Sequence, residues 1–280
     1  MAKSKTKRYG VFNVVAQPHP SDIYRKIFEA AEGVGVKYWG DYYAAITPIS
    51  ATRGNVFTGR LVIWMAVDPD SNVVSLTDFV EVPLSSSNDV TIPTDKGLNS
   101  RTFQFAFNVG NHRLFLELNN DEGKNVSPRR AEVAFQKALS EAAIDLVDEL
   151  RVQIVPASDS VEKILEIENL SMVEIKIFRP NPDTISPEAK AILDEELEDQ
   201  HAKEVVKTLK RAPSFRSLVL NARSKLMAQA AALDGLVRGK GKDADGKSVE
   251  ASTSDYPTVI VRVEDVDGTD SAGVRSVAGE

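Results

Sequence analysis

The segment 101–118 constrains the fold more than any other. Phe103, Phe105 and Phe107 recur at every second position, and Leu114 and Leu116 do the same after a break. Period two puts the side chains of each run on one face of a pleated ribbon. Between the runs stands Val109-Gly110-Asn111-His112, and Gly and Asn tolerate the positive φ of a hairpin turn. The chain must therefore hold an antiparallel hairpin with one apolar face, and a further layer has to cover that face.

Other short β-branched and aromatic runs extend this reading. Strands are expected at 8–15, 36–38, 42–47, 56–67 and 73–82, with 101–108 and 113–118 forming the hairpin. Pro18 and Pro20 stop the first strand, since proline donates nothing to a ladder. Ser21 or Asp22 caps a short helix carrying Ile23, Ile27 and Ala30-Ala31, which Gly33 and Gly35 end. Residues 85–99 read as a loop.

Two long helices are expected. Ser127-Pro128 puts a cap before proline at the first helical position, and an apolar stripe from Ala131 to Leu150 predicts about 22 residues of helix. Ser186-Pro187 opens the second, running to about Arg211, acidic in its first half and basic in its second as the macrodipole favours. Between them, a strand at 152–155, a helix capped near 158–160 and a strand at 172–178 fit a βαβ crossover. Beyond Pro213, a strand at 218–222 and a helix at 222–233 are expected. Asp243-Ala244-Asp245-Gly246 then turns a hairpin between 237–242 and 247–251, and a last strand covers 259–263.

The fold class is thus α+β, predominantly antiparallel sheets with two long helices. A β-rich part (8–126) precedes a mixed part (127–265), with flexible tails at 1–7 and 266–280. Lys3, Lys5, Lys7 and Arg8 make the first tail a cationic arm.

Composition narrows the chemistry. A 280-residue chain without cysteine has no disulfide, thiolate metal site or cysteine nucleophile. Three histidines (His19, His112, His201) are scattered; His19 reads as a turn residue and His201 as a partly buried structural one. No nucleophile elbow or phosphate loop occurs, and the glycines of 235–241 lack the P-loop register. Asp68 and Asp70 read as turn residues rather than a metal pair. Asp243 and Asp245 read as hairpin-turn residues, because Ser254 stands where a calcium loop needs glutamate. No metal and no cofactor are expected. Tyr38, Trp39, Tyr42 and Tyr43 either stack a base or pack beneath the first helix. With neither a long apolar run nor a secretory leader, the expected location is cytoplasmic.

The charge is unevenly spread. Eleven cations face four carboxylates in the 45 residues 203–247, a net +7, on a chain whose total is −7. A basic segment on an acidic body suits a phosphate-tracking site; the alternative is a solvated face neutralised by acidic neighbours. The candidate contacts are Lys207, Lys210, Arg211, Arg216, Arg223, Arg238, Lys240 and Lys242.

Arg8-Tyr9-Gly10-Val11-Phe12-Asn13-Val14-Val15-Ala16-Gln17-Pro18-His19-Pro20, with the ribbon 239–245 and Ser252-Thr253-Ser254-Asp255-Tyr256-Pro257, resembles an uncharacterised bacterial family of about this length. That resemblance brings no activity. Residues 203–225, ordered as a lysine-bearing helix, a Pro213-Ser214-Phe215 loop and an alternating strand, are similar to the C-terminal half of the phage-exclusion DNA-binding protein RexA. This second resemblance implies non-sequence-specific binding of duplex DNA in antiphage defence, by a homodimer or a subunit of a defence complex. The alternatives are a metal-dependent nuclease and a protein-interaction subunit with no nucleic acid.

Overall fold

A computed structural model describes residues 4–20, 22–66, 68, 71–84, 95–178, 190–191, 194–265 and 272–279. The elements in order are β1 (Ser4–Gln17), α1 (Ile23–Ala31), β2 (Val36–Trp39), β3 (Tyr42–Ile46), β4 (Val56–Met65), β5 (Asn72–Val74) and β6 (Glu81–Pro83). Then come β7 (Leu98–Asn108), β8 (Arg113–Glu117), α2 (Pro128–Ala142), β9 (Glu149–Ile154), α3 (Ser160–Leu165) and β10 (Met172–Phe178). A π-helical turn (Asp194–Glu198) leads to β11 (Glu204–Lys210), α4 (Ala222–Leu233), β12 (Gly235–Lys242), β13 (Ser248–Ser252), β14 (Val259–Asp265) and α5 (Ala272–Ala278). The fold is α+β, and its strand ladders are antiparallel.

β1 organises the larger sheet, in the order β14-β1-β8-β7-β4-β3-β2. Along one edge β1 pairs β14 through Ser4–Gly10 and then β9 through Phe12–Gln17, while its other edge pairs β8. The run from Tyr9 to Ala16 is apolar at nearly every position because both faces are covered. Phe12, Val14 and Ala16 face the layer of α1 and α2, where the stripe Phe103, Phe105, Phe107, Leu114 and Leu116 also lies. Tyr9 and Val11 face the opposite side, packed with Val274 and Val277 of α5. The smaller sheet, in the order β11-β10-β12-β13, covers one face with α3 and α4. The two large apolar clusters divide the chain between Ile154 and Val161, and α2 packs with the first.

Several expectations are corrected. The stripe from Ala131 does not run to Leu150: α2 stops at Ala142, and β9 begins at Glu149. Leu146 and Leu150 fit a helical period, but Leu150, Val152 and Ile154 also fit period two, and the ladder to β1 decides for the strand. The second long helix is also absent where it is described. Ser186 and Pro187 lie outside the described residues, and 204–210 form β11, whose Val205, Val206 and Thr208 suit a pleat. His201, placed inside that helix, is an exposed turn residue with φ 52°.

β9 and β10 lie in different sheets, so no βαβ crossover forms. Residues 73–82 split into the hairpin β5–β6, and 218–221 are irregular rather than a strand. Of the loop expected at 85–99, residues 85–94 lie outside the described residues, 95–97 are irregular as expected, and Leu98 and Asn99 belong to β7. The cationic arm is ordered from Ser4: Lys7 is 7% exposed and pairs with Glu117 and, at 3.0 Å, with Asp121. Residues 272–278 of the expected tail are helical, with Val274, Val277 and Ala278 buried. Among the described residues no helix is long and apolar enough to cross a membrane.

Candidate nucleic-acid interface

Register assigns each basic side chain of the smaller sheet to a face. Lys207 is opposite Ile175, a core residue, so it points toward α4; its Nζ donates to Ser224 Oγ at 3.2 Å and lies 3.7 Å from Met227 Sδ. Lys210 and Lys240 flank Met172 on the other face, and Arg238 lies one row further along, opposite Glu174. That face carries Lys210, Arg238 and Lys240 together, where α3 and α4 do not pack.

At the end of this sheet four of the candidate cations converge. Arg211, Arg216, Lys240 and Lys242 line a cleft of about 660 Å³ with Asn169, Ser171, Gly241, Ser248, Val249 and Glu250. Arg211 is fixed through its backbone N–H to Ser171 O (2.8 Å) and its Nη1 to Phe215 O, and its buried Nε lacks an acceptor. Lys242 and Lys210 have no ion-pair partner among the described residues. Arg216 is held by Glu168 and by Asn169 Oδ1 at 3.3 Å. Lys240 reaches Glu250 at 3.0 Å, and Arg238 reaches the same carboxylate at 3.6 Å. Arg223 stands apart in the first turn of α4, bound to Glu195 and Glu196 at 2.7 and 3.0 Å. Three of the eight candidates thus keep an uncompensated charge, and Lys207 is turned away.

The glycine-rich ribbon is neither a phosphate cradle nor an exposed hairpin arm. β12 is an inner strand, and its glycines let neighbours approach. A Cβ at Gly239 would lie 2.5 Å from Ile164 Cγ2, one at Gly241 2.5 Å from Asn169 O, and one at Gly235 2.1 Å from Lys176 O. The turn 244–247 is exposed, as are Lys242, Ser248 and Glu250 beside it. There Asp243 Oδ1 accepts from Lys247 N at 2.9 Å and Gly246 takes φ 79°, as the Asp-Gly signal predicts. Asp70 lies outside the described residues, and Asp68 is exposed.

Two polar groupings were not singled out from the sequence. One is a buried seam on the side of β1 away from α1 and α2. Asn13, Arg113 and Gln153 stand in one row across three strands, and each has a buried polar atom without a partner. Beside them Arg151 binds Glu149 and Asp234 and lies over the Phe178 ring at 4.5 Å. Residues so far apart in sequence give no local signal. The other grouping joins Arg101 and Arg130 to Trp39 and Tyr42, two of the aromatic residues noted above. Its signal was readable: a cation in the first turn of a helix opposes the macrodipole.

The described residues therefore form an α+β protein of two main sheets and a separate two-stranded hairpin, with a basic cleft at one end of the four-stranded sheet. It belongs to the family described as Domain of unknown function (DUF4747), whose model matches residues 5–278. No curated protein matches it. The element order that carried the RexA resemblance is not the observed one, since 204–210 are strand and 218–221 irregular.

Proposed function

We propose that the protein binds nucleic acid without sequence preference, duplex DNA first, through the cleft of Arg211, Arg216, Lys240 and Lys242. The observation that supports this is their convergence against a single lining carboxylate, Glu250. Guanidinium and ammonium groups on a wall of strand backbone suit phosphate contacts, which position a duplex and read no bases. Four such contacts give a log–log salt slope of about −3.6, so affinity falls by about two decades between 50 and 200 mM salt. A single-stranded ligand is the second reading. Phe215, 65% exposed and between Arg211 and Arg216 in sequence, supplies a face on which a base stacks.

The test is fluorescence anisotropy with unrelated duplexes, with single strands of the same length, and with chelator present. In the Arg216→Gln/Lys240→Gln/Lys242→Gln variant, affinity should fall equally for all duplexes and the salt slope should drop toward −1. Undiminished affinity in the folded variant, or no salt-sensitive binding by the wild type at 50 mM salt, overturns the proposal.

A further inference from the structure

On the larger sheet, a cleft of about 160 Å³ is lined by Tyr38, Tyr42, Ile63, Arg101 and Arg130 together with 125–127. Arg130 lies over the Trp39 ring at 5.5 Å and over Tyr42 at 6.0 Å, and Arg101 stacks on Tyr42 from 6.0 Å. Rings at this range attract the guanidinium charge and leave its N–H groups to donate elsewhere. Neither arginine has a carboxylate partner among the described residues. Arg101 gives one hydrogen bond, to Asn125 O at 3.4 Å, and its Nε is buried without an acceptor. Tyr38, 8% exposed, has no hydrogen-bond partner among the described residues, and burial holds its phenol above its ordinary pKa, a neutral donor.

The placement of Arg130 adds to this. It is the third residue of α2, its N–H taken by Ser127 Oγ at 3.3 Å, so its charge stands at the positive end of the helix. That placement opposes the dipole, and a bound anion reverses the sign. Arg129 beside it is neutralised by Glu132; Arg130 is not.

We propose that this cleft binds a phosphate group, either the free anion or the terminal group of a monoester. Two guanidinium forks and a phenol O–H supply donors that match a tetrahedral oxyanion. A volume of about 160 Å³ is too small for a drug-sized ligand, so one anionic headgroup enters and the rest of the molecule stays outside. Trp39, 44% exposed and stacked under Arg130, is where that remainder rests. The phosphoryl group comes either from free phosphate or from a nucleotide's 5′ end. None of the basic-cleft residues takes part, so this site stands or falls separately.

The test titrates inorganic phosphate, thymidine 5′-monophosphate and thymidine, following tryptophan fluorescence and the phosphate-dependent rise in Tm. Saturable responses to both phosphates and none to thymidine are expected. Tighter binding of the monophosphate assigns a nucleotide end as the source, and tighter phosphate binding assigns the free anion. Arg101→Gln and Arg130→Gln should each weaken phosphate by about tenfold or more, the range for a hydrogen bond to a charged group. Tyr38→Phe should weaken it less. A response that never saturates, an adventitious ion only, overturns the proposal. So does phosphate affinity unchanged in both arginine variants, judged by the Tm rise because Arg130→Gln alters Trp39 emission by itself.

Discussion

Asp234 makes the buried seam sensitive to pH, and replacing it with asparagine isolates the effect. The side chain is 3% exposed at the end of α4; Oδ2 accepts from Arg151 Nη2 at 3.1 Å, while Oδ1 is buried without a partner. Arg151, Arg113 and Glu149 are the charged groups that bear on it. Burial outweighs the attraction of the two arginines and pushes its carboxyl from 3.8 to about 6. The folded state therefore holds a proton that the unfolded state has released between those values. Stability from this group is fully present below pH 3.8 and is lost as pH rises through about 6.

One pKa unit is about 1.4 kcal/mol, so Asp234 contributes about 2 kcal/mol more at about pH 4.5 than at about pH 7. Urea unfolding of wild type and Asp234→Asn at both pH values measures this. Comparing the two proteins cancels groups common to both, among them Glu117, whose carboxyl burial also raises. The wild type should gain about 2 kcal/mol on the variant as the pH falls. A pH-independent difference, or one of opposite sign, would show that the ion pair overrides burial and refute the reasoning.

Two further predictions concern packing. Phe107→Ala, fully buried with Tyr24, Phe28 and Phe57 around it, should cost about 3–5 kcal/mol in chemical denaturation, whereas Val206→Ala on the open face of β11 should cost under about 1 kcal/mol. Gly239→Ala should lose about 1–3 kcal/mol by forcing Ile164 aside, although the strand conformation admits alanine; a wild-type midpoint would refute the close approach.

Legibility in the sequence followed the range of the interactions. The hairpin β7–β8 and the turn at 243–246 were readable because period two and the turn residues are local. The start of α2 was readable for the same reason, through Ser127-Pro128; α1 does begin after Asp22, but the Asp22 side chain makes no capping bond, and Ser21 lies outside the described residues. The fate of 146–154 was not, because its pattern suits helix and strand alike and the choice is made by β1, more than a hundred residues earlier. At 204–210 a charge order that mimics the macrodipole concealed a run of β-formers. The basic segment was visible as composition, but which cations remain uncompensated depends on Glu168, Glu195, Glu196 and Glu250, whose places only the fold decides.

The divided edge of β1 also sets an order of events during synthesis. Its first half takes β14 as partner, about 250 residues downstream, while β9 and β8 arrive earlier. At ribosomal rates of about 5–20 residues per second, that half waits on the order of 10–50 s for its partner. The smaller sheet emerges within this interval. It leaves and rejoins the larger one through a narrow neck, where Ala157 N donates to Tyr256 O at 2.7 Å and Thr258 N to Val155 O at 2.8 Å. A nascent chain thus exposes an open strand edge while an inserted unit folds, and Lys5, Lys7 and Arg8 put along it the kind of charge that disfavours edge-to-edge pairing.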